Sequence, residues 1–190
     1  ALPVVERGMS HVIYRSKRGE STARFAIWAG VAYLPVMTST TPDAIIIGLK
    51  HSLEAAERHV LTIDGFRPAG VLVPLLLTPA GTELLLTRRT ESVETHKGQI
   101  AFPGGMADPA DGDIVATALR EAWEDLGSPS SAVQVIGILD DLPTPSGFII
   151  TPVVGAIRTL PALVPNPHEV AEVFQVPLDF FRDPMSGRVE

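Results

Sequence analysis

Residues 104–127 read Gly104-Gly105-Met106-Ala107-Asp108-Pro109-Ala110-Asp111-Gly112-Asp113-Ile114-Val115-Ala116-Thr117-Ala118-Leu119-Arg120-Glu121-Ala122-Trp123-Glu124-Asp125-Leu126-Gly127. The second half predicts a helix over Asp113–Leu126, closed by Gly127 in the usual C-cap place. Val115, Ala118, Leu119, Ala122 and Leu126 form an apolar face that would seat this helix on a core. Glu121, Glu124 and Asp125 stand at i, i+3 and i+4, so another face carries three carboxylates. Bare, these would repel one another. A divalent cation removes that penalty, and an all-oxygen set suits magnesium or manganese. Arg120 is placed to pair with an upstream carboxylate such as Asp111. Gly104 and Gly105 let the backbone approach a ligand or metal closely. An acidic triplet by itself is more often a solvated helix face.

Working outward, Val71–Leu77 is a continuous apolar run and predicts a buried strand despite Pro74. Thr78-Pro79-Ala80-Gly81 reads as a turn, with Glu83–Arg88 the returning strand. Gln99–Phe102 is a short strand leading into Pro103-Gly104-Gly105. Val133–Leu139 and Phe148–Ile157 read as strands around the loop Asp140–Gly147. Val170–Val176 reads as another, followed by a helical turn at Leu178–Phe181. Toward the front, Asp43 can cap a helix running to about Val60, with Ile46, Leu49, Leu53 and Ala56 at helical spacing. Val12–Ser16 and Ala23–Ile27 alternate like strands, and Trp28–Leu34 reads as a short helix stopped by Pro35. Strands and helices mix without regular βαβ alternation. The expected class is therefore α+β, an α/β/α sandwich with a mixed sheet between helices.

The chain has 190 residues, enough for one sizeable core, so a single domain over 1–190 is expected. Apolar residues make up 45% and charged residues 19%, a globular balance that excludes a disordered chain. The net charge of −7 disfavours non-specific binding to nucleic acid or to an anionic membrane. No stretch reads as a membrane span and no secretory signal is apparent at the front. The lack of cysteine excludes disulfides, thiolate zinc sites and cysteine nucleophiles, and fits a cytoplasmic setting.

Gly105-x5-Asp111 followed by Arg120-Glu121-Ala122-Trp123-Glu124-Asp125-Leu126-Gly127 resembles the Nudix box. That box reads Gly-x5-Glu-x7-Arg-Glu-apolar-x-Glu-Glu-x-Gly-apolar. Asp111 and Asp125 stand where the pattern has glutamate, Ser128 stands where it has an apolar residue, and eight residues rather than seven separate Asp111 from Arg120. Leu85-Leu86-Thr87-Arg88-Arg89 and His96-Lys97-Gly98-Gln99-Ile100-Ala101-Phe102-Pro103-Gly104-Gly105 resemble the coenzyme A pyrophosphatase subgroup, which also carries the extra residue within the box. Thr117-Ala118-Leu119, Thr144-Pro145-Ser146-Gly147-Phe148 and Thr151-Pro152-Val153-Val154-Gly155 are similar to it as well.

The resemblance implies a Nudix fold and metal-dependent hydrolysis of the diphosphate of coenzyme A, or a derivative, to 4′-phosphopantetheine and adenosine 3′,5′-bisphosphate. It implies catalytic roles for Glu121, Glu124 and Arg120, and metal ligation of Mg²⁺ or Mn²⁺ by Glu121, Glu124 and Asp125. It also implies substrate contacts from Arg88, His96, Gly98, Gly104 and Gly105. As cations, Arg88, Arg89, His96 and Lys97 suit a phosphate-rich ligand, though a charged hairpin edge would also explain them. Glu121, Glu169 or Glu172 could act as base. The box itself leaves open ADP-ribose, a dinucleoside polyphosphate or a nucleoside triphosphate as substrate, and a silent nucleotide-binding module as another class. Phe180 and Phe181 are available for a homodimer contact or for the core.

Phe25-Ala26-Ile27-Trp28-Ala29-Gly30-Val31-Ala32-Tyr33-Leu34 is similar to a strand–helix piece that family members carry after their Val-Pro-Leu-Asp-Phe region. On that resemblance, 1–36 is a displaced C-terminal unit and Met37–Glu190 precedes it, a circular permutation that requires Ala1 and Glu190 to be neighbours. An unrelated N-terminal extension is the alternative.

Overall fold

A computed structural model describes residues 41–91, 97–178 and 180, together with the backbone of 11–15 and 22–26. In chain order the strands are β1 His11–Arg15, β2 Thr22–Ala26, β3 Arg67–Thr78, β4 Gly81–Arg89, β5 Ile100–Ala101, β6 Gly104–Met106, β7 Gln134–Ile138, β8 Leu142–Pro143, β9 Phe148–Ile157 and β10 Val170–Pro177. The helices are α1 Pro42–Ala55 and α2 Ile114–Leu126.

Among the described residues these ten strands form one mixed sheet. β3 lies parallel to β9 from Arg67/Phe148 to Leu76/Ile157, which buries the apolar run on both faces. The other edge of β3 changes partner midway. β6 pairs with Ala69–Val71, and β4 pairs only from Leu75 onward. Pro74 sits in this gap. The N–H it lacks would point, with that of Leu72, toward the gap, so the strand loses no ladder bond there. The Leu72 N–H instead meets the Pro103 carbonyl at 2.9 Å. The interruption opens the sheet beside Gly104 and Gly105. β10 covers the outer edge of β4, from Val170/Arg89 to Pro177/Glu83. β5 pairs with β4 on its inner side and with β2 through Phe25/Ile100.

α1 packs Ile46 and Leu49 on one sheet face, against a cluster that includes Val73, Leu75, Val154 and Ala156. α2 packs Ala118 and Ala122 on the opposite face, against Leu72 and Val153, with Val115 and Leu119 partly buried beside them. The expected mixed sheet between helices is what the structure holds. α2 comes close because Gly70 has no side chain: a Cβ there would lie 2.8 Å from the Ile114 carbonyl oxygen.

Several boundaries differ from expectation. Thr41, not Asp43, caps α1, its hydroxyl accepting from the Ala44 N–H, and Pro42 follows in the first turn where its missing N–H costs nothing. Asp43 pairs instead with Arg158. α1 ends at Ala55, short of Val60, because Ala56 turns extended and Arg58 is drawn to the Leu139 carbonyl and the buried Asp141 carboxylate. The Asp140–Gly147 loop contains the short strand β8, and the glycine pair belongs to a strand, β6, rather than to a free loop. α2 agrees with expectation: Asp113 caps its start, and Gly127 closes it with φ 66°. Phe180 packs against the α1-side core, while Phe181 lies outside the described residues, as do Trp28–Leu34, Ala1 and Glu190. No helix among the described residues is long and apolar enough to cross a membrane.

Candidate active site

β6 and α2 face each other at the opening of the sheet. Gly104 and Gly105 are held by pairing to Val71 and Gly70 of β3. A Cβ on Gly105 would sit on the Glu121 carboxylate, so that carboxylate rests directly on the glycine backbone. Asp125, one helical turn later, is buried and accepts from the Gly104 N–H at 3.2 Å. The loop after β9 crosses the end of α2, its Val164 and Asn166 N–H groups meeting the Leu126 and Asp125 carbonyls, and delivers Glu169 to the same region.

Arg120 organises the carboxylates. Its Nε and Nη2 make two 2.9 Å bonds to the two oxygens of Asp111. Nη1 donates to Glu121 at 2.9 Å and to Glu124 at 3.2 Å, and Nη2 also reaches the Met106 carbonyl at 3.0 Å. All three nitrogens are thus engaged. The forked pair with Arg120 holds the Asp111 carboxyl well below the usual carboxylate range, and the same pairing raises the arginine above its ordinary value.

The other two carboxylates move the opposite way. Burial pushes Glu121 up; Arg120 opposes the shift, while Glu124 and Glu169 reinforce it. Burial also pushes Asp125 up, to about 6; the Gly104 N–H and Arg89 oppose this, and Glu169 and Glu121 add to it. Mutually repelling carboxylates, one buried and one half-buried, without a full counter-charge suit an all-oxygen cation site. The chemistry of the donor set therefore fits Mg²⁺ or Mn²⁺. Among the described residues no three acidic or histidine side chains already converge as ligands, since Arg120 holds Glu121 and Glu124.

The remaining expected site residues fall in different places. Gly98 turns the chain with φ 64°, beside Glu91 rather than beside the carboxylates. His96 lies outside the described residues. Successive strand residues face opposite sides, so Arg88 shares the face of Leu84 and Leu86 and pairs with Glu172 at 3.2 Å. Arg89 takes the other face, where its charge acts on Asp125 and its Nη1 stands 4.0 Å from Glu169. Its Nε is buried with no hydrogen-bond partner among the described residues. Arg88 and Arg89 look equivalent in sequence; the parity of β4 is the signal that separates them, and it needs the strand register.

Two predictions follow from the packing and titration here. In Gly104→Ala the new methyl would lie 2.6 Å from the Gly70 oxygen and from the Val71 Cα, both backbone atoms. This variant is expected to lose about 2–4 kcal/mol of stability. Gly105→Ala instead displaces only the end of the Glu121 side chain, so its melting temperature is expected to hold while its activity falls. Calorimetry and turnover on both variants check the contrast.

The second concerns pH. The folded pKa of Asp125 lies above its unfolded value near 4, so between about 4 and 6 the native chain binds more protons than the unfolded one. Its contribution to the stability of the metal-free chain falls as pH rises through that window, by about 2–3 kcal/mol in all. Asp125→Asn keeps an oxygen for the Gly104 N–H. It is expected to raise the metal-free melting temperature at about pH 7 and to change it little at about pH 4.

Comparison with known proteins bears on the family and the fold. A family model described as "NUDIX domain" matches residues 67–185. "Uncharacterized Nudix hydrolase NudL" of Pectobacterium atrosepticum is 52% identical over 113 residues, 60% of this chain and 58% of the relative. The protein of the same name from Photorhabdus laumondii is 50% identical over 115 residues, 60% of this chain and 61% of the relative. The chain thus spans about three-fifths of the length of these curated relatives. Among solved structures, the M. smegmatis Nudix hydrolase RenU superposes with TM-score 0.52 at 25% identity, over 62% of this chain and 74% of that one. A C. elegans Ap4A hydrolase complex superposes with TM-score 0.51 at 17% identity, over 58% and 80%, a likeness of fold. The family match takes in the interrupted strand, the glycine strand, the acidic helix and the covering strand β10, and on it the chain belongs to the Nudix domain family.

Proposed function

We propose that the chain is a metal-dependent diphosphatase that hydrolyses the diphosphate of coenzyme A, or of a coenzyme A derivative. The observation that carries the reading is the pair of upward-shifted carboxylates, half-buried Glu121 and buried Asp125, lying against the Gly104–Gly105 backbone. Water adds across the P–O–P linkage, one phosphorus gains the hydroxyl and the other leaves with the bridging oxygen. The products would be 4′-phosphopantetheine and adenosine 3′,5′-bisphosphate. Glu121, Glu124 and Asp125 would hold Mg²⁺ or Mn²⁺, which supplies charge neutralisation of the diphosphate and a lowered pKa for bound water.

The chain's own residues do the rest. Arg120 orients Glu121 and Glu124 and does not touch substrate. Glu121 is the proposed base: burial raises its proton affinity toward the working pH, and Glu169 reinforces the shift. Arg89, on the carboxylate face, would meet a phosphate there; Arg88, on the other face, would serve only a part of the substrate that wraps the strand edge. The choice of coenzyme A rests on the resemblance of Leu85–Arg89 and His96–Gly105 to the coenzyme A subgroup.

Product analysis tests the reading. The purified chain is incubated with coenzyme A, ADP-ribose, a dinucleoside tetraphosphate and NADH, each with Mg²⁺, Mn²⁺ or chelator. Release of adenosine 3′,5′-bisphosphate from coenzyme A, abolished by chelator, is the expected result. Cleavage of a different substrate would overturn the subgroup assignment, and a folded chain that cleaves none of them would overturn the enzymatic reading.

A further inference from the structure

Asp111 is one methylene shorter than the glutamate of the family pattern and stands one residue further from Arg120. Its carboxylate is nevertheless fully engaged. It accepts the Arg120 fork, the Asp108 N–H at 2.9 Å, and the hydroxyl of Thr117 at 2.8 Å. The carboxylate sits at the end of a turn in which the Asp111 N–H returns to the Asp108 carbonyl. Thr117 meets it from the helix.

Thr117 is almost fully buried and lies three residues before Arg120, on the same side of α2. A threonine inside a helix ordinarily gives its proton to the carbonyl four residues back. Here that carbonyl, of Asp113, is 3.3 Å away, while the ionised Asp111 oxygen is at 2.8 Å. A hydroxyl has one proton, and the shorter contact to a charged acceptor takes it. The terminal torsion of aspartate is broad, so its orientation is set by its donors: the Arg120 fork, the Asp108 N–H and the Thr117 hydroxyl. Of these, the Thr117 hydroxyl is fixed on the helix that also carries Arg120.

We propose that Thr117 is a positioning residue. Its hydroxyl locks the shortened Asp111 carboxylate in register with the Arg120 fork and so keeps the remaining Arg120 N–H groups on Glu121 and Glu124. The chain of contacts is Thr117 to Asp111, Asp111 to Arg120, and Arg120 to the carboxylates; its consequence for turnover rests on the reading of Glu121 and Glu124 given under Proposed function. The aspartate and the threonine then act as one compensated pair, in which the helix hydroxyl supplies a contact that steadies the shorter carboxylate.

Thr117→Val keeps the shape and removes the proton; Thr117→Ser keeps the proton. The first readout needs neither metal nor substrate: solvent exchange of the Arg120 Nε–H, followed by NMR in the metal-free chain. The second is kcat and KM on coenzyme A. In Thr117→Val the exchange is expected to quicken about tenfold, and kcat to fall about tenfold with KM within about twofold. Thr117→Ser is expected to restore both. A valine variant with unchanged exchange overturns the proposal, as does a serine variant as impaired as valine, which would assign the effect to packing. If valine does not fold, Thr117→Ala is read the same way. A wild-type chain that turns over no substrate defeats the functional reading alone, since the exchange measurement still decides the role of Thr117.

Discussion

Glu121→Gln is expected to lower kcat by about a thousandfold while leaving the fold intact. The glutamine is nearly isosteric, so it still rests on Gly105 and still offers an oxygen to Arg120 Nη1. What it loses is the negative charge and the ability to take up a proton. Burial makes that charge unfavourable in the metal-free chain, so the variant should melt no lower than wild type without metal. With Mn²⁺ added, the wild-type melting temperature should rise and that of the variant should rise less, because fewer anionic ligands remain. Steady-state turnover and calorimetry, each with and without Mn²⁺, check both halves. A kcat within tenfold of wild type would remove Glu121 from the chemistry and move the role of base to Glu169, whose charge acts on both Glu121 and Asp125.

Arg120→Ala is expected to reduce kcat/KM by about a hundredfold to a thousandfold. One guanidinium touches Asp111, Glu121, Glu124 and the Met106 carbonyl, so its loss removes four contacts at once, while the Asp125 bond to the Gly104 N–H remains. Arg120→Lys should recover little, because a single ammonium cannot reproduce the planar fork on Asp111. A pH series distinguishes this clamp from general packing. Asp111 has a folded pKa below its unfolded value, so its stabilising contribution is present above about pH 4 and disappears as pH falls through the folded value. The melting-temperature gap between wild type and Arg120→Ala should be widest above about pH 4 and narrow progressively as pH falls toward the folded value. A gap independent of pH would mean that the arginine stabilises through its aliphatic stem.

The acidic helix, its glycine cap and its apolar face were legible in the sequence because they depend on local rules. The 3.6-residue period sorts Glu121, Glu124 and Asp125 from Ala118 and Ala122, and Gly127 tolerates the left-handed backbone that ends the helix. The box pattern and the mixed sheet between helices were legible for the same reason. The cap of α1 was misassigned to Asp43 by a local rule that Thr41 and Pro42 satisfy better.

Other features came into view only with the tertiary structure. That Pro74 belongs in a central strand depends on β3 changing partners from β6 to β4, a contact between distant segments. That Arg89 rather than Arg88 faces Asp125 depends on the parity of β4 against its neighbours. The engagement of Arg120 by Glu121 and Glu124, and the burial that raises Glu121 and Asp125, depend on how closely α2 approaches the glycine strand. Residue type and helical period were enough to identify the groups that α2 carries, since both are local properties of the chain. Which of those groups meet is a property of the folded molecule, because contact, burial and pKa arise between segments far apart in the chain.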